Sequence, residues 1–447
     1  MGDVIFFGRL NYNYKERYLL ELNGRWDASS RFMEDYRWGF FPSASAGWRI
    51  SEENFFEPLR GTINNLKIRG SYGTLGNQEI YSYFPYAATI SPGYGYWFDE
   101  ELGTGVAQTQ VANQGITWEK STQMNIGLDA SLFSRLNVSF DYYIRDINDM
   151  LQQFPIPLYV GFSSPWENAG SMRNKGWDLT MSWRDRIGDV NYFVTGNLSD
   201  VRNTVTNLYG NEYVGTQITR EGDPIRSWYG YVSDGFFQSQ EEIDASPVYG
   251  AKQNVKPGYV KYRDLSGLDG EPDGVINDFD RTIIGDPSPR YEYSANIGAD
   301  WKGIDFSLFL QGVGKRDVFF SGRGARPFYI GGTIFKHQMN FWTEDNRNAE
   351  FPLLLIDGTG NNPNNIVSDF WVKSAAYLRI KNVVLGYTLP KSMLDRINFE
   401  RIRVYVSGQN LFTLSDSYEG YDPEVSVEGG NFYPVMRTLT LGVDINF

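Results

Sequence analysis

The final ten residues, Thr438 to Phe447 (TLTLGVDINF), alternate strictly between apolar and polar or small side chains. Successive strand residues point to opposite faces. Leu439, Leu441, Val443, Ile445 and Phe447 therefore share one face, and Thr440, Gly442, Asp444 and Asn446 the other. A chain ending on such a strand fits an outer-membrane barrel, with one face against lipid and the other lining a polar lumen. A soluble edge strand carries the same pattern, so the whole chain must agree.

Aromatic residues make up 16% of the 447 residues, whereas the hydrophobic total is an ordinary 41%. That combination suits aromatic girdles around a thin apolar band. The length does not force two domains, because large barrels grow by strand number rather than by core volume. No stretch approaches the roughly 20 consecutive apolar residues that a membrane-spanning helix needs. With no cysteine, disulfides, thiol nucleophiles and thiolate metal sites are excluded. The net charge of −13 argues against nucleic acid as a partner. Met1 to Leu10 (MGDVIFFGRL) lacks the basic region, apolar core and cleavage site of a secretory signal. Strand content favours an artificial boundary there over a cytoplasmic protein.

Alternation and turn chemistry predict about thirteen strands. They run Val4 to Tyr14, Tyr18 to Asp27, Phe40 to Ile50, Leu66 to Leu75, Thr122 to Phe133, Arg135 to Arg145, Gly176 to Arg184, Val190 to Asn203, Tyr291 to Trp301, Ile304 to Gly312, Leu378 to Leu389, Arg401 to Leu411 and Thr438 to Phe447. The pattern is cleanest where Leu136, Val138, Phe140, Tyr142 and Ile144 share a face. Connections fall into two alternating classes. Short ones follow Tyr14, Ile50, Phe133, Arg184, Trp301 and Leu389, and long ones occupy every other position. Short periplasmic turns alternating with long external loops are an outer-membrane barrel property. Single-chain bacterial barrels have an even strand number, so the odd count predicts the C-terminal part of a larger barrel.

Several segments then become recognisable: RYLLELNGRWDASSRF (Arg17 to Phe32), FFPSASAGWRISEENFF (Phe40 to Phe56), NLKIRGSYGTLGNQ (Asn65 to Gln78), LRIKNVVLGYTLP (Leu378 to Pro390), VYVSGQNLFTLSDSYEGYDPEV (Val404 to Val425) and the last strand. In order and across the chain, they resemble segments of SusC/RagA-type TonB-dependent transporters. That resemblance implies an all-β, transmembrane antiparallel barrel of about 22 strands, of which this chain is the C-terminal part. It also implies an N-terminal plug and TonB box, neither visible here, and a SusD-like surface lipoprotein that captures a glycan or oligopeptide. TonB, that lipoprotein, the substrate and outer-membrane lipid are the implied partners. Within this reading Lys67, Arg69 and Ser71 face the lumen, and Leu66, Ile68, Gly70 and Tyr72 face lipid.

Asp269, Glu271, Asp273, Gly274, Val275, Asn277 and Asp280 reproduce the spacing of an EF-hand calcium loop. Ligands would fall at positions 1, 3, 5, 7, 9 and 12, with glycine at 6, for a structural Ca²⁺. Position 3 is Glu, Pro272 stiffens the turn and Asp280 stands where Glu is usual. The alternative is an acidic surface turn, its glycines serving backbone geometry.

Loop aromatics are the other candidates. Tyr94, Tyr96 and Trp97, Trp166, and Trp228, Tyr229 and Tyr231 lie among Gly, Ser and acidic residues. Rings beside carboxylates stack on sugars, but they equally pack loops together or onto a partner. Catalysis is not supported: His337 is the single histidine and no nucleophile motif accompanies it. Arg316, Arg323 and Arg326 are candidate contacts for lipopolysaccharide or for a partner's carboxylates. The competing class is a soluble or surface-anchored, calcium-dependent carbohydrate-binding protein. It would pack Leu136, Phe140, Leu439 and Val443 into a dry core.

Overall fold

The computed structural model describes residues 2–80, 82–250, 254–356, 362–394, 399–417, 421–425 and 433–447. Its dominant element is one sheet of 13 strands, hydrogen-bonded in chain order from first to last. The strands are β1 (Asp3–Tyr14), β2 (Tyr18–Ser29), β3 (Trp38–Arg49), β4 (Ile63–Asn77), β5 (Glu119–Leu132), β6 (Leu136–Asn148), β7 (Ser171–Ile187), β8 (Val190–Asn207), β9 (Arg290–Trp301), β10 (Ile304–Lys315), β11 (Tyr377–Thr388), β12 (Arg401–Ser415) and β13 (Thr438–Asn446). Each corresponds to a strand that alternation predicts. β7, β8 and β12 run several residues further at their long-loop ends, to Ser171, Asn207 and Ser415. Apolar alternation fades there, because backbone pairing continues where neither face is buried in hydrocarbon.

The chain divides into two compact units, residues 1–181, 201–211 and 220–223, and residues 182–200, 212–219 and 224–447. In the first unit, register sorts every side chain. Ile68 lies opposite Leu128, Gly70 opposite Ile126 and Tyr72 opposite Met124. Leu128, Ile126 and Met124 continue the same face to Phe140, Tyr142 and Ile144. Lys67, Arg69 and Ser71 face the other way, opposite Asp129, Gly127 and Asn125. Arg69 there donates to Asp129 at 3.0 Å and to Asp141 at 2.6 and 2.5 Å. A Cβ on Gly127 would stand 2.5 Å from the Arg69 guanidinium carbon. Glycine at that cross-strand position makes room for the ion cluster.

Among the described residues nothing covers the apolar face. Tyr72, Met124, Ile126, Leu128, Phe140 and Tyr142 are exposed, and so in the second unit are Leu439, Leu441, Val443 and Ile445. Leu441 is 78% exposed, where a dry core would bury it. The soluble carbohydrate-binding alternative is overturned on this ground. An apolar strip of this kind is stable only against hydrocarbon.

Short turns close one end of the sheet. Phe133 and Ser134 both hold positive φ (55° and 57°), as do Lys302 and Gly303 (47° and 90°). Paired positive φ matches the right-handed twist of hairpin strands. Strain at Phe133 and Ser134 is offset by hydrogen bonds to Thr62 O (2.7 Å) and Asn64 Oδ1 (2.5 Å).

At the other end the long connections are folded rather than irregular. In the first unit Phe32, Phe41, Ile80, Ile116 and Trp118 bury one another, with Leu151 and Trp166 against them. In the second, Trp228, Val318, Phe319, Phe320, Ala325, Phe351, Trp371 and Ala375 form a core beside a four-stranded sheet (Tyr213–Val214, Gln217–Thr219, Ser227–Gly230 and Thr282–Gly285). Alternation in these stretches is too short to announce strands.

The face assignment predicts a contrast between neighbours in β13. Leu441→Arg lowers the stability of the bilayer-reconstituted full-length protein by about 2–4 kcal/mol, whereas Thr440→Arg costs well under half of that. Denaturant titration in vesicles measures both, and equal costs would contradict the faces assigned here.

Candidate functional site

In the second unit, the polar faces of β8 to β12 line up into rows. Asn197 pairs with Ser294, Ser294 with Gln311, Gln311 with Arg379 and Arg379 with Thr413. One step along lie Ser199, Glu292, Val313, Tyr377 and Ser415. A register shift against β10, between Phe309 and Leu310, admits Lys381 as an extra residue in β11.

Arg379 is completely buried. Its Nη2 donates to Asp422 at 2.6 Å, Nη1 donates to Glu424 and Nε donates to Thr413 Oγ1 at 3.0 Å. Glu424 also accepts from the Tyr377 hydroxyl at 2.7 Å and from Gln311 Nε2 at 3.2 Å. Sequence chemistry explains why both carboxylates arrive together. Pro423 fixes the backbone between them, and Asp422 Oδ1 accepts from the Glu424 N–H at 3.0 Å, an Asx turn. The connection after β12 is thus pinned to the inner wall. Each nitrogen of this buried guanidinium thus donates to an acceptor, and two of the three acceptors are carboxylates.

Beside this clamp is a cavity of about 560 Å³, lined among others by Asn197, Ser199, Glu292, Gln311, Arg316 and Glu424. Its volume falls in the range of small-molecule sites. Sequence reasoning missed Arg379, Asp422, Glu424 and the cavity. A polar residue on a barrel's inner face is ordinary, and partners separated by a long connection leave no periodic signal. The DPEV segment within the family resemblance was the available clue.

The loop aromatics divide. Tyr94, Tyr96 and Trp97 stand exposed on a two-stranded hairpin (Ile90–Phe98 with Glu101–Gln108), where the sequence gives only a loop. Trp166 packs on the Phe32 cluster. Trp228 is buried, its Nε1 donating to Asp317 O at 2.9 Å. Tyr229 lies under the Arg281 guanidinium at 4.6 Å. Trp166, Trp228 and Tyr229 thus serve loop packing, which leaves the hairpin residues presented outward. Tyr231 sits with Tyr262 and Tyr249. Burial pushes the phenols of Tyr231 and Tyr262 well above the usual tyrosine range, so both stay neutral. Burial also lowers the Lys373 amine below its ordinary range.

The acidic loop does not fit a calcium cage. Asp280 is buried, and its carboxylate accepts the backbone N–H groups of Leu265 (2.7 Å), Ser266 (3.1 Å) and Asn277 (2.7 Å). Three inward-pointing N–H dipoles repel a cation. Asn277 Oδ1 caps Phe279, Asp273 Oδ1 accepts from Val275, and Asp264 takes the N–H groups of Asp273 and Gly274. Asp269 and Glu271 point to solvent, and Val275 pairs with Val248. Among the described residues no group of three or more His, Asp or Glu side chains is gathered for a metal. Gly270 and Gly274 hold positive φ (82° and 84°), so the pattern is satisfied by turn geometry.

His337 meets Gly324 O at 2.8 Å, a structural contact. Arg316 and Arg326 reach Pro423 O and Asn365 O within the protein's own loops, and Arg323 is exposed.

A family model for the β-barrel of TonB-dependent receptor-like proteins matches residues 2–411. The chain belongs to this family of outer-membrane β-barrels and is not an enzyme. TonB-dependent receptor P3 of Formosa agariphila is 32% identical, with 99% of this chain and 45% of that protein covered. TonB-dependent receptor SusC of Bacteroides thetaiotaomicron is 29% identical, with 99% and 44% covered. Among solved structures, the RagAB peptide transporter superposes with a TM-score of 0.81 at 26% identity, covering 100% of this chain and 47% of that one. The chain therefore spans less than half the length of these relatives.

Two outcomes follow. Arg379→Ala removes the buried cation between Asp422 and Glu424, leaving Glu424 with Lys381 at 3.7 Å, and destabilises the second unit by about 3 kcal/mol, read as earlier proteolysis of the connection after β12. Asp280→Ala strips three N–H groups of their acceptor and costs about 2–3 kcal/mol, whereas EGTA leaves the melting temperature of the wild-type protein unchanged. An EGTA-induced drop of several degrees would restore calcium to the loop.

Proposed function

We propose that this chain forms the C-terminal part of the wall, and the outward loops, of an outer-membrane importer. The importer draws its energy through TonB, works with a SusD-like surface lipoprotein and takes up an oligopeptide or a glycan. The observation that carries this reading is the fit of the whole chain to the RagAB peptide transporter, joined to an outer face that only lipid can cover. The SusC match supports a surface-lipoprotein partner in the same way. The inner face supplies what transport of a hydrophilic solute needs, a wall of amides, hydroxyls and paired charges that holds water.

Expression of the 447 residues together with the N-terminal portion that the relatives carry tests it. The expected product fractionates with outer membranes, migrates as a compact band that unfolds on heating, and supports uptake of labelled peptides or oligosaccharides that stops when TonB is deleted. A product that stays soluble without detergent, or uptake indifferent to TonB, would sink the proposal.

A further inference from the structure

We infer that the cavity beside the Arg379 clamp is a subsite for a zwitterionic ligand, an oligopeptide, and that Glu292 and Arg316 select it. This inference rests on the importer reading above and deepens it.

The cavity wall uses most of its polar groups internally. Asn197 Nδ2 donates to Ser294 Oγ at 3.0 Å, Gln311 donates to Tyr377 and Glu424, and Glu424 is held by Arg379. Two charged lining residues stand apart. The Glu292 carboxylate has no hydrogen-bond or ion-pair partner among the described residues. Arg316 spends one N–H on Pro423 O at 3.3 Å, and its Nε is buried without an acceptor. A guanidinium has five N–H groups to place; the buried Nε is out of a ligand's reach, so it is the Nη groups beyond the bond to Pro423 O that the cavity can use. The cavity therefore offers one unspent anion and one underused cation, amid neutral amides and hydroxyls.

A neutral glycan can hydrogen-bond both groups but neutralises neither charge. A peptide answers both, its ammonium group or a basic side chain at Glu292, and its carboxylate in the fork of Arg316. A sphere of about 560 Å³ is roughly 10 Å across, which an extended segment of about three residues spans at roughly 3.3–3.6 Å each. Amides at Asn197 and Gln311 suit a peptide backbone between the two ends. Tyr377 and Glu424, held by Arg379, form the fixed side of the subsite.

The test uses the full-length protein in detergent with its surface lipoprotein. It is incubated with a pool of two- to five-residue peptides and separately with maltotetraose, then separated from free ligand, and retained ligand is identified by mass spectrometry. The wild type is expected to retain peptides. Glu292→Gln and Arg316→Gln each lower retention by about tenfold or more, Arg316→Lys recovers part of it, and acetylation plus amidation of the peptide ends weakens wild-type binding likewise. Outer-membrane yield and heat-modifiable migration verify that each variant folds. Peptides retained equally by all variants would overturn the subsite while leaving the importer reading standing. Maltotetraose retained in place of peptides would overturn the peptide assignment. Retention of neither, by a protein absent from outer membranes, would overturn both readings.

Discussion

Everything in this chain follows from the cost of an unpaired backbone amide in hydrocarbon. Each N–H or C=O left without a partner there costs several kcal/mol, so the chain crosses lipid only as strands whose groups pair with neighbours. Pairing in chain order is the simplest way to achieve this, and the thirteen strands follow it without exception. Once register is fixed, the period of two assigns every side chain to lipid or to water. Ile68 and Arg69 are adjacent in sequence, yet one meets hydrocarbon and the other joins Asp129 and Asp141.

The inner face meets a different demand. Most charges there are partly exposed and held by neighbours, as Arg403 is between Asp305 and Asp444. Arg379, wholly buried, goes furthest from this, beyond the Arg290–Asp200 pair. Full burial of a guanidinium is tolerable only with acceptors around it, and the Asp422-Pro423-Glu424 turn together with Thr413 gives each nitrogen one. Beside these partners, Glu292 has none among the described residues and Arg316 only Pro423 O, which is why the cavity reads as a place for a ligand.

Legibility in the sequence tracked the physics of each region. Strands in hydrocarbon must alternate, so β6, with Leu136 to Ile144 on one face, could be read directly, and so could the alternation of short and long connections. The long connections obey no such rule. Their order comes from tertiary burial, as where Trp371 donates its indole N–H to Asn364 O at 2.7 Å, and nothing local announces it. Loop aromatics were ambiguous for the same reason: Trp228 and Tyr96 have similar sequence surroundings, but one fills a core and the other projects into solvent. In the acidic loop the calcium-like spacing was real, yet the same Asp and Gly spacing serves a self-capping turn, and only the direction of the N–H groups around Asp280 separates the two.

The Arg379 clamp also bears on how the sheet is completed. Residues 416–437 separate β12 from β13, and closing so long a connection carries an entropy cost that grows with the logarithm of its length. Docking Asp422 and Glu424 on β11 divides that closure into two shorter ones. The turn bonds Arg379 of β11, and Thr413 of β12 accepts from the same guanidinium, so the tether engages the paired strands β11 and β12. The last strand then searches for its register from a tethered start. An ion pair in the finished wall is thus also a tether that shortens the closure left to the final strand.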